Sequence, residues 1–114
     1  MASDSHAEYA QRLVAAVLTS DGDTDPSVRR AVEALSAQIG GCSTKQTDSI
    51  PPELISYIKK IALHAYKTTD EDIGALCKAG YSEDAIFEIT LSAALGAGMA
   101  RLEPGLAALK DANY

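Results

Sequence analysis

Hydrophobic side chains recur three and four positions apart through most of the chain, which is the spacing of one face of an α-helix. No segment shows the strict apolar and polar alternation that marks a half-buried strand. The pattern predicts helices over six approximate ranges: 6–19, 26–39, 52–65, 70–79, 83–102 and 106–112. The expected fold is therefore all-α, a compact bundle of about five to six helices in one domain spanning 1–114, with 1–8 as a flexible tail.

Capping and turn residues mark the ends of these segments. Asp25 is a good N-cap and stands before a proline at the first helical position. Thr69 and Asp72, three residues apart, have the spacing of a capping box, and Gly80 is typical of a helix C-terminus. The stretch 42–50 is polar and rich in Ser and Thr, so it predicts a loop between the second and third helices.

The fifth segment is the longest and is apolar on nearly every face, so we expect it at the centre of the core. Ser92, Gly96 and Ala100 fall four residues apart, which puts small side chains on one stripe. Another helix could approach this stripe closely, either within the domain or from another subunit. Pro104 cannot donate the hydrogen bond of a continuous helix, so the pattern predicts an interruption there and a separate final helix.

Composition and charge narrow the set of partners. The chain has 114 residues, 46% of them hydrophobic, and a net charge of −6 with no basic stripe, so nucleic acid and anionic membranes are unfavourable partners. The first eight residues lack the features of a secretory signal. The longest weakly polar stretch, 89–100, is too short to span a bilayer, which takes roughly 20 apolar residues. We expect a soluble cytoplasmic protein.

The only cysteines, Cys42 and Cys77, lie far apart in the sequence. Because no paired-cysteine motif is present, the chain is not expected to be a conventional dithiol redox enzyme. In a reducing cytosol both would remain thiols that behave as small hydrophobic side chains. A redox pair formed between them in three dimensions is the alternative.

Four short stretches resemble the carboxymuconolactone decarboxylase and alkyl hydroperoxidase D family, over roughly the C-terminal half of the chain. They are 53–55, 65–72, 76–82 and 86–89. The resemblance implies a helical bundle that forms a homo-oligomer, a trimer or a hexamer, which we expect to assemble through the long fifth helix. It implies a small organic molecule as the ligand.

The peroxidase members of that family carry a Cys-x-x-Cys-x-x-x-His motif with a glutamate about three turns upstream. Counting back from the Gly-Tyr-Ser of 80–82, the family cysteines fall on Ala65 and Thr68, the histidine on Asp72 and the glutamate on Glu53. Peroxide reduction needs one thiolate to attack and a second thiol to resolve the sulfenic acid, and neither alanine nor threonine supplies one. Decarboxylase-type members lack the cysteine pair and use histidine and other polar groups for proton transfer.

Three residues are the candidate catalytic groups: Glu53, His64 and Tyr66. His64 is the only histidine outside the N-terminal tail and is the best acid or base by residue type. Within one straight helix Glu53 and His64 would stand about 16 Å apart along the axis, so a shared site needs a chain reversal or a second subunit. The structural alternatives are a carboxylate that stabilises a helix N-terminus and an exposed histidine at a helix end. Tyr57 and Tyr81 could wall the same pocket or lie at the edge of the core.

Asp70, Glu71 and Asp72 could be imagined as metal ligands together with His64. Three acids in the first turn after a threonine cap are also what the helix dipole favours, so neither a metal nor a cofactor is predicted. Two functions stay open. The first is cofactor-independent proton transfer on a small organic acid, and the second is a non-catalytic oligomeric or small-ligand-binding module. Residual peroxidase activity through Cys42 and Cys77 is a third.

Overall fold

A computed structural model describes residues 2–39 and 50–112, with side chains from His6 onward. The described part contains five α-helices, α1 (Ala2–Thr19), α2 (Pro26–Ile39), α3 (Pro52–His64), α4 (Asp70–Lys78) and α5 (Glu83–Asp111). A single 3₁₀ turn, Ala65–Lys67, joins α3 to α4. The prediction of an all-α bundle is confirmed. Cys42 and most of the predicted polar loop lie outside the described residues.

Two boundaries differ from the sequence pattern. The first helix begins at Ala2, so most of the expected N-terminal tail is helical. The predicted interruption at Pro104 is wrong, because α5 continues through it to Asp111. Proline removes one backbone hydrogen bond and crowds the preceding turn, but its fixed φ is helical, so well-formed turns on both sides can carry the helix past it.

The first half of α5 forms the centre of the core, as predicted. Its apolar side chains pack against α2, α3 and α4 in one cluster. The buried members of that cluster are Val32, Leu54, Tyr57, Ile58, Leu76, Ile86, Ile89 and Ala93. Burial of these side chains is the main favourable contribution to folding of the chain.

The stripe of small residues on α5 is where α2 crosses it. A methyl group built on Gly96 would overlap the main-chain oxygen of Glu33, so only glycine permits this approach. Ser36 Oγ donates a hydrogen bond of 2.5 Å to the main-chain oxygen of Ala93, and Ser92 is fully buried beside the crossing. Of the two predicted uses of the stripe, the structure shows close packing within the domain.

The predicted ends of α4 are present, and a serine caps α5. Thr69 and Asp72 form a reciprocal capping box at the start of α4. Gly80 has a φ of 106°, the left-handed conformation in which glycine ends a helix without strain. Ser82 then caps α5 by accepting a hydrogen bond from the main-chain nitrogen of Ala85.

By length and composition alone, α5 could also cross a bilayer, because it has 29 residues and the mean hydropathy of its most apolar 18-residue window is 1.3. Central helices of soluble bundles meet the same criterion. Within this window, 44% is buried inside the bundle. One such helix is therefore weak evidence for a membrane span.

Candidate functional site

A cavity of about 140 Å³ lies between α3 and α4, and we call it the Glu53 cavity. Four of its lining residues are on α3 and three are on α4: Glu53, Ser56, Tyr57 and Lys60, then Asp72, Ala75 and Leu76. It brings together Glu53 and Asp72, which the family resemblance placed at two motif positions. The chain reversal through the 3₁₀ turn is what makes this possible, because the two residues are 19 positions apart.

Glu53 lies at the exposed rim of this cavity, in the first turn of α3. Its Oε1 accepts a hydrogen bond of 3.1 Å from Tyr81 Oη. Burial raises the pKa of Tyr81 above its usual value, and the Glu53 carboxylate raises it further by bonding to the phenolic proton. Tyr81 therefore stays protonated and donates to Glu53 across the neutral pH range.

Asp72, at the family histidine position, is fully engaged by neighbouring groups. Lys60 Nζ lies 3.0 and 2.9 Å from its two carboxylate oxygens, and its Oδ2 accepts the main-chain N–H of Thr69 at 2.9 Å. The bonds to Lys60 hold the pKa of Asp72 below its usual value, and the Thr69 amide adds to this effect. Asp72 is thus an ionised structural carboxylate that joins α3 to the start of α4.

The hydroxyl of Tyr57 contacts α5. Its Oη lies 2.6 Å from Thr90 Oγ1, which in turn donates to the main-chain oxygen of Ile86 at 2.7 Å. Tyr57 is buried in the core cluster and also lines the Glu53 cavity. The geometry therefore matches both predicted uses of this tyrosine, as a wall of the pocket and as a residue at the edge of the core.

His64 and Tyr66 lie on the surface at the end of α3. Their rings meet edge to face with centroids 6.0 Å apart, and Lys67 Nζ lies 5.8 Å from the Tyr66 ring centroid. Tyr66 is 81% exposed, and neither residue lines the Glu53 cavity. In the described part of the chain, no hydrogen bond, ion pair or ring contact joins either residue to Glu53.

The positions of the family cysteines are also outside the Glu53 cavity. Ala65 is exposed at the start of the 3₁₀ turn, and Thr68 ends that turn with a hydrogen bond of 3.1 Å to the Ala65 oxygen. Thr68 Oγ1 is enclosed without a hydrogen-bond partner. Cys77 is exposed on α4. Because Cys42 lies outside the described residues, a pair formed with Cys77 stays a prediction.

A larger cavity, about 320 Å³, lies where α1, α2 and α5 meet. Its walls include Arg29 and Glu88. Arg29 is 3% exposed and donates to the main-chain oxygens of Val17 and Ser20 at the end of α1. A cation at a helix C-terminus is stabilised by the unpaired carbonyls and the helix dipole.

Glu88 binds the other side of the same α1 to α2 connection. Its carboxylate accepts the main-chain N–H groups of Asp23 and Thr24 at 2.7 and 2.8 Å, and the Thr24 hydroxyl at 2.5 Å. The hydrogen bonds from Thr24 hold the pKa of Glu88 below its usual value. The roles of Arg29 and Glu88 were not predicted. In the sequence both have the pattern of surface charges on amphipathic helices, and no local spacing connects them to residues 20–24.

The acidic first turn of α4, Asp70 to Asp72, follows its threonine cap as the dipole argument expected. Among the residues that the structure describes, no group of three or more His, Cys, Asp or Glu side chains converges as a metal site. No family model matches the chain, and neither curated proteins nor solved structures provide a match. The family resemblance therefore depends only on the spacing of the motif positions in this sequence. Two of these positions, Glu53 and Asp72, line the same cavity.

Proposed function

We propose that this chain is a dithiol-free relative of the carboxymuconolactone decarboxylase and alkyl hydroperoxidase D family that serves as a non-catalytic, self-associating helical module. The observation that carries the proposal is the state of Asp72. At the position of the family histidine stands a carboxylate that caps α4 and pairs with Lys60 through both oxygens. A group held in this way stabilises the helix junction and is poorly placed to transfer protons.

The charge and size of the Glu53 cavity support the same proposal. Glu53 and Asp72 contribute two carboxylates and Lys60 one ammonium, so one negative charge is left over. An organic acid would be repelled by that charge. The volume of about 140 Å³ is also below the roughly 300 Å³ at which ligand pockets usually begin.

The proposal is tested by asking whether Asp72 acts for stability. Replacing Asp72 by Ala, or Lys60 by Met, should lower the Tm, and the double variant should lose little more than either single one because the two groups act as a pair. Asp70→Ala, in the same turn of α4, is the matched control and should change the Tm little. An Asp72→Ala variant that is as stable as the wild type, or more stable, would contradict the proposal. That result is typical of a residue kept for function, because such residues often lower the stability of the folded protein.

Self-association is tested by light scattering on the full chain. We expect a mass that is a multiple of 11.9 kDa at micromolar concentration, with a trimer or hexamer as the family resemblance implies. A monomer under these conditions would overturn this part of the proposal. The same sample should show no peroxide turnover with a thiol reductant. Turnover that disappears in both Cys42→Ser and Cys77→Ser would instead favour peroxidase activity through these two thiols.

A second candidate function is proton transfer on a small molecule at the Glu53 cavity. The hydrogen bond from Tyr81 to Glu53 favours it, because it fixes a carboxylate at the rim of a concave site. Solvent-to-substrate deuterium exchange in acetone and in cyclopentanone, two neutral ketones that the remaining negative charge does not repel, would test it. Exchange that is lost in Glu53→Gln would support this candidate. Loss in His64→Ala or Tyr66→Phe alone would assign the chemistry to the surface pair.

A further inference from the structure

The second half of α5 carries an apolar stripe that the bundle covers only in part. Its members alternate four and three positions apart, which is the spacing of a coiled-coil contact face. They are Met99, Leu102, Leu106 and Leu109, and we call them the C-terminal seam. Leu102 and Leu109 are 42% and 38% exposed, and no residue of 98–111 is buried. A period of 3.5 residues selects another helix as the partner.

The backbone of this half also requires a partner. It contains Gly98, Pro104 and Gly105, and a helix interior is destabilised by about 1 kcal/mol for each glycine and about 3 kcal/mol for a proline. A helical extension of this composition should fray in water unless its apolar face is packed. The bundle only half-buries Met99 and Leu106 and leaves Leu102 and Leu109 exposed, so the rest of this packing must come from elsewhere.

The charges of this half make a second copy acceptable. Arg101 and Lys110 balance Glu103 and Asp111, so 98–111 has no net charge, although the whole chain has −6. Two copies that meet here avoid the repulsion expected between other parts of their surfaces. A strongly basic partner would gain nothing from this surface.

We infer that two copies of the chain pair antiparallel along the C-terminal seam. One register satisfies both the apolar and the charged positions. It sets Leu102 on the partner's Leu106 and Met99 on the partner's Leu109. In the same register Glu103 flanks the seam beside the partner's Lys110, and the twofold axis makes this pair twice. In the heptad pattern of the seam, Leu102 and Leu109 occupy the d positions, and Glu103 and Lys110 follow them directly. In antiparallel coiled coils, the residues that follow the d positions face each other across the two helices.

This inference rests on the proposed self-association and specifies its surface. An isologous contact of this kind closes as a dimer, and a hexamer would need a second, threefold contact in addition. It does not by itself generate a trimer.

The first test removes the apolar contact. Sedimentation equilibrium of the full chain should show that Leu102→Asp weakens association at least about tenfold, as for a misfit group in an apolar contact. Leu63→Asp is the matched control, because Leu63 is 50% exposed and lies on α3, outside the seam. Circular dichroism should show both variants folded, since each side chain is exposed.

The second test reads the register through the charges. Glu103→Lys and Lys110→Glu should each weaken association, by roughly fivefold for two symmetric pairs, and the effect should fade at high salt. The double variant Glu103→Lys/Lys110→Glu should recover wild-type association. The two single variants mixed together should form a heterodimer that outcompetes either homodimer. A parallel pairing would face these positions with Gly98 and Gly105 and would show none of this.

The outcomes separate this inference from the proposed function. A multimeric wild type whose association is unchanged in Leu102→Asp overturns the seam and leaves the self-association intact. Unrescued charge variants overturn the antiparallel register. A monomeric wild type overturns both, including the case in which residues 40–49 of the same chain cover the seam.

Discussion

The two halves of α5 belong to one helix and have opposite surroundings. Residues 83–97 contain every buried side chain of α5, whereas 98–111 contain none. Both halves are rich in alanine and leucine, and both contain glycine. The difference is that α2 and α3 pack on the first half, with Gly96 at the closest point. Both halves are helical, and only the packing partner makes one of them the core.

The largest expected effect is the loss of a core side chain in the first half. Ile89 is fully buried, so Ile89→Ala should lower the free energy of unfolding by about 2–5 kcal/mol through lost burial and the cavity left behind. Ala107→Ser, on the exposed half, should change it by no more than about 0.5 kcal/mol. Urea denaturation measures both. Similar losses in the two variants would show that the halves are equally packed.

Two glycines of α5, two positions apart, should respond with opposite signs. Gly96→Ala forces a methyl group against the Glu33 main chain and should cost about 1–3 kcal/mol. Gly98→Ala meets open space and should stabilise the helix by about 0.5–1 kcal/mol. Thermal unfolding of the pair sharpens the comparison. If both substitutions shift the Tm in the same direction, this prediction is wrong.

The beginning of α5 depends on its cap. Ser82 Oγ accepts the Ala85 main-chain N–H at 3.0 Å, so Ser82→Ala should cost about 1 kcal/mol. Ser82→Thr keeps the hydroxyl, which also donates to Asp23 Oδ2 at 3.0 Å, and should retain most of the wild-type stability, so the loss in the alanine variant is assigned to the hydroxyl. Hydrogen exchange should show faster opening of the first turn of α5 in the alanine variant, with the turns near Asp111 unchanged.

The smallest effect concerns pH. The pKa of Glu88 is lower in the folded chain than its usual value of 4.5, because the ionised carboxylate binds the Thr24 and Asp23 donors. Its contribution is therefore complete above that value and is lost as the pH falls through the lower folded pKa. Glu88→Gln should flatten the decline of the Tm in that acidic window. Glu8→Gln, at an exposed position of α1, is the control and should leave the decline unchanged.

The candidate site was only partly predictable. The family spacing pointed to Glu53 and Asp72, and the structure places both in one cavity. Lys60 was not predicted, because it reaches Asp72 only through the 3₁₀ turn that folds α4 back along α3. His64 and Tyr66 were chosen by residue type alone, and residue type carries no information about which wall of a bundle a side chain faces.

The amino-acid sequence by itself determined the helices, their caps and the composition of the core. These follow from interactions within a few residues, such as the Thr69 capping box, and from the period of the apolar positions. Tertiary structure alone decided that Gly96 receives α2 and that Arg29 and Glu88 hold the connection between α1 and α2. Each of these depends on groups brought together from distant positions, and no local pattern records such proximity.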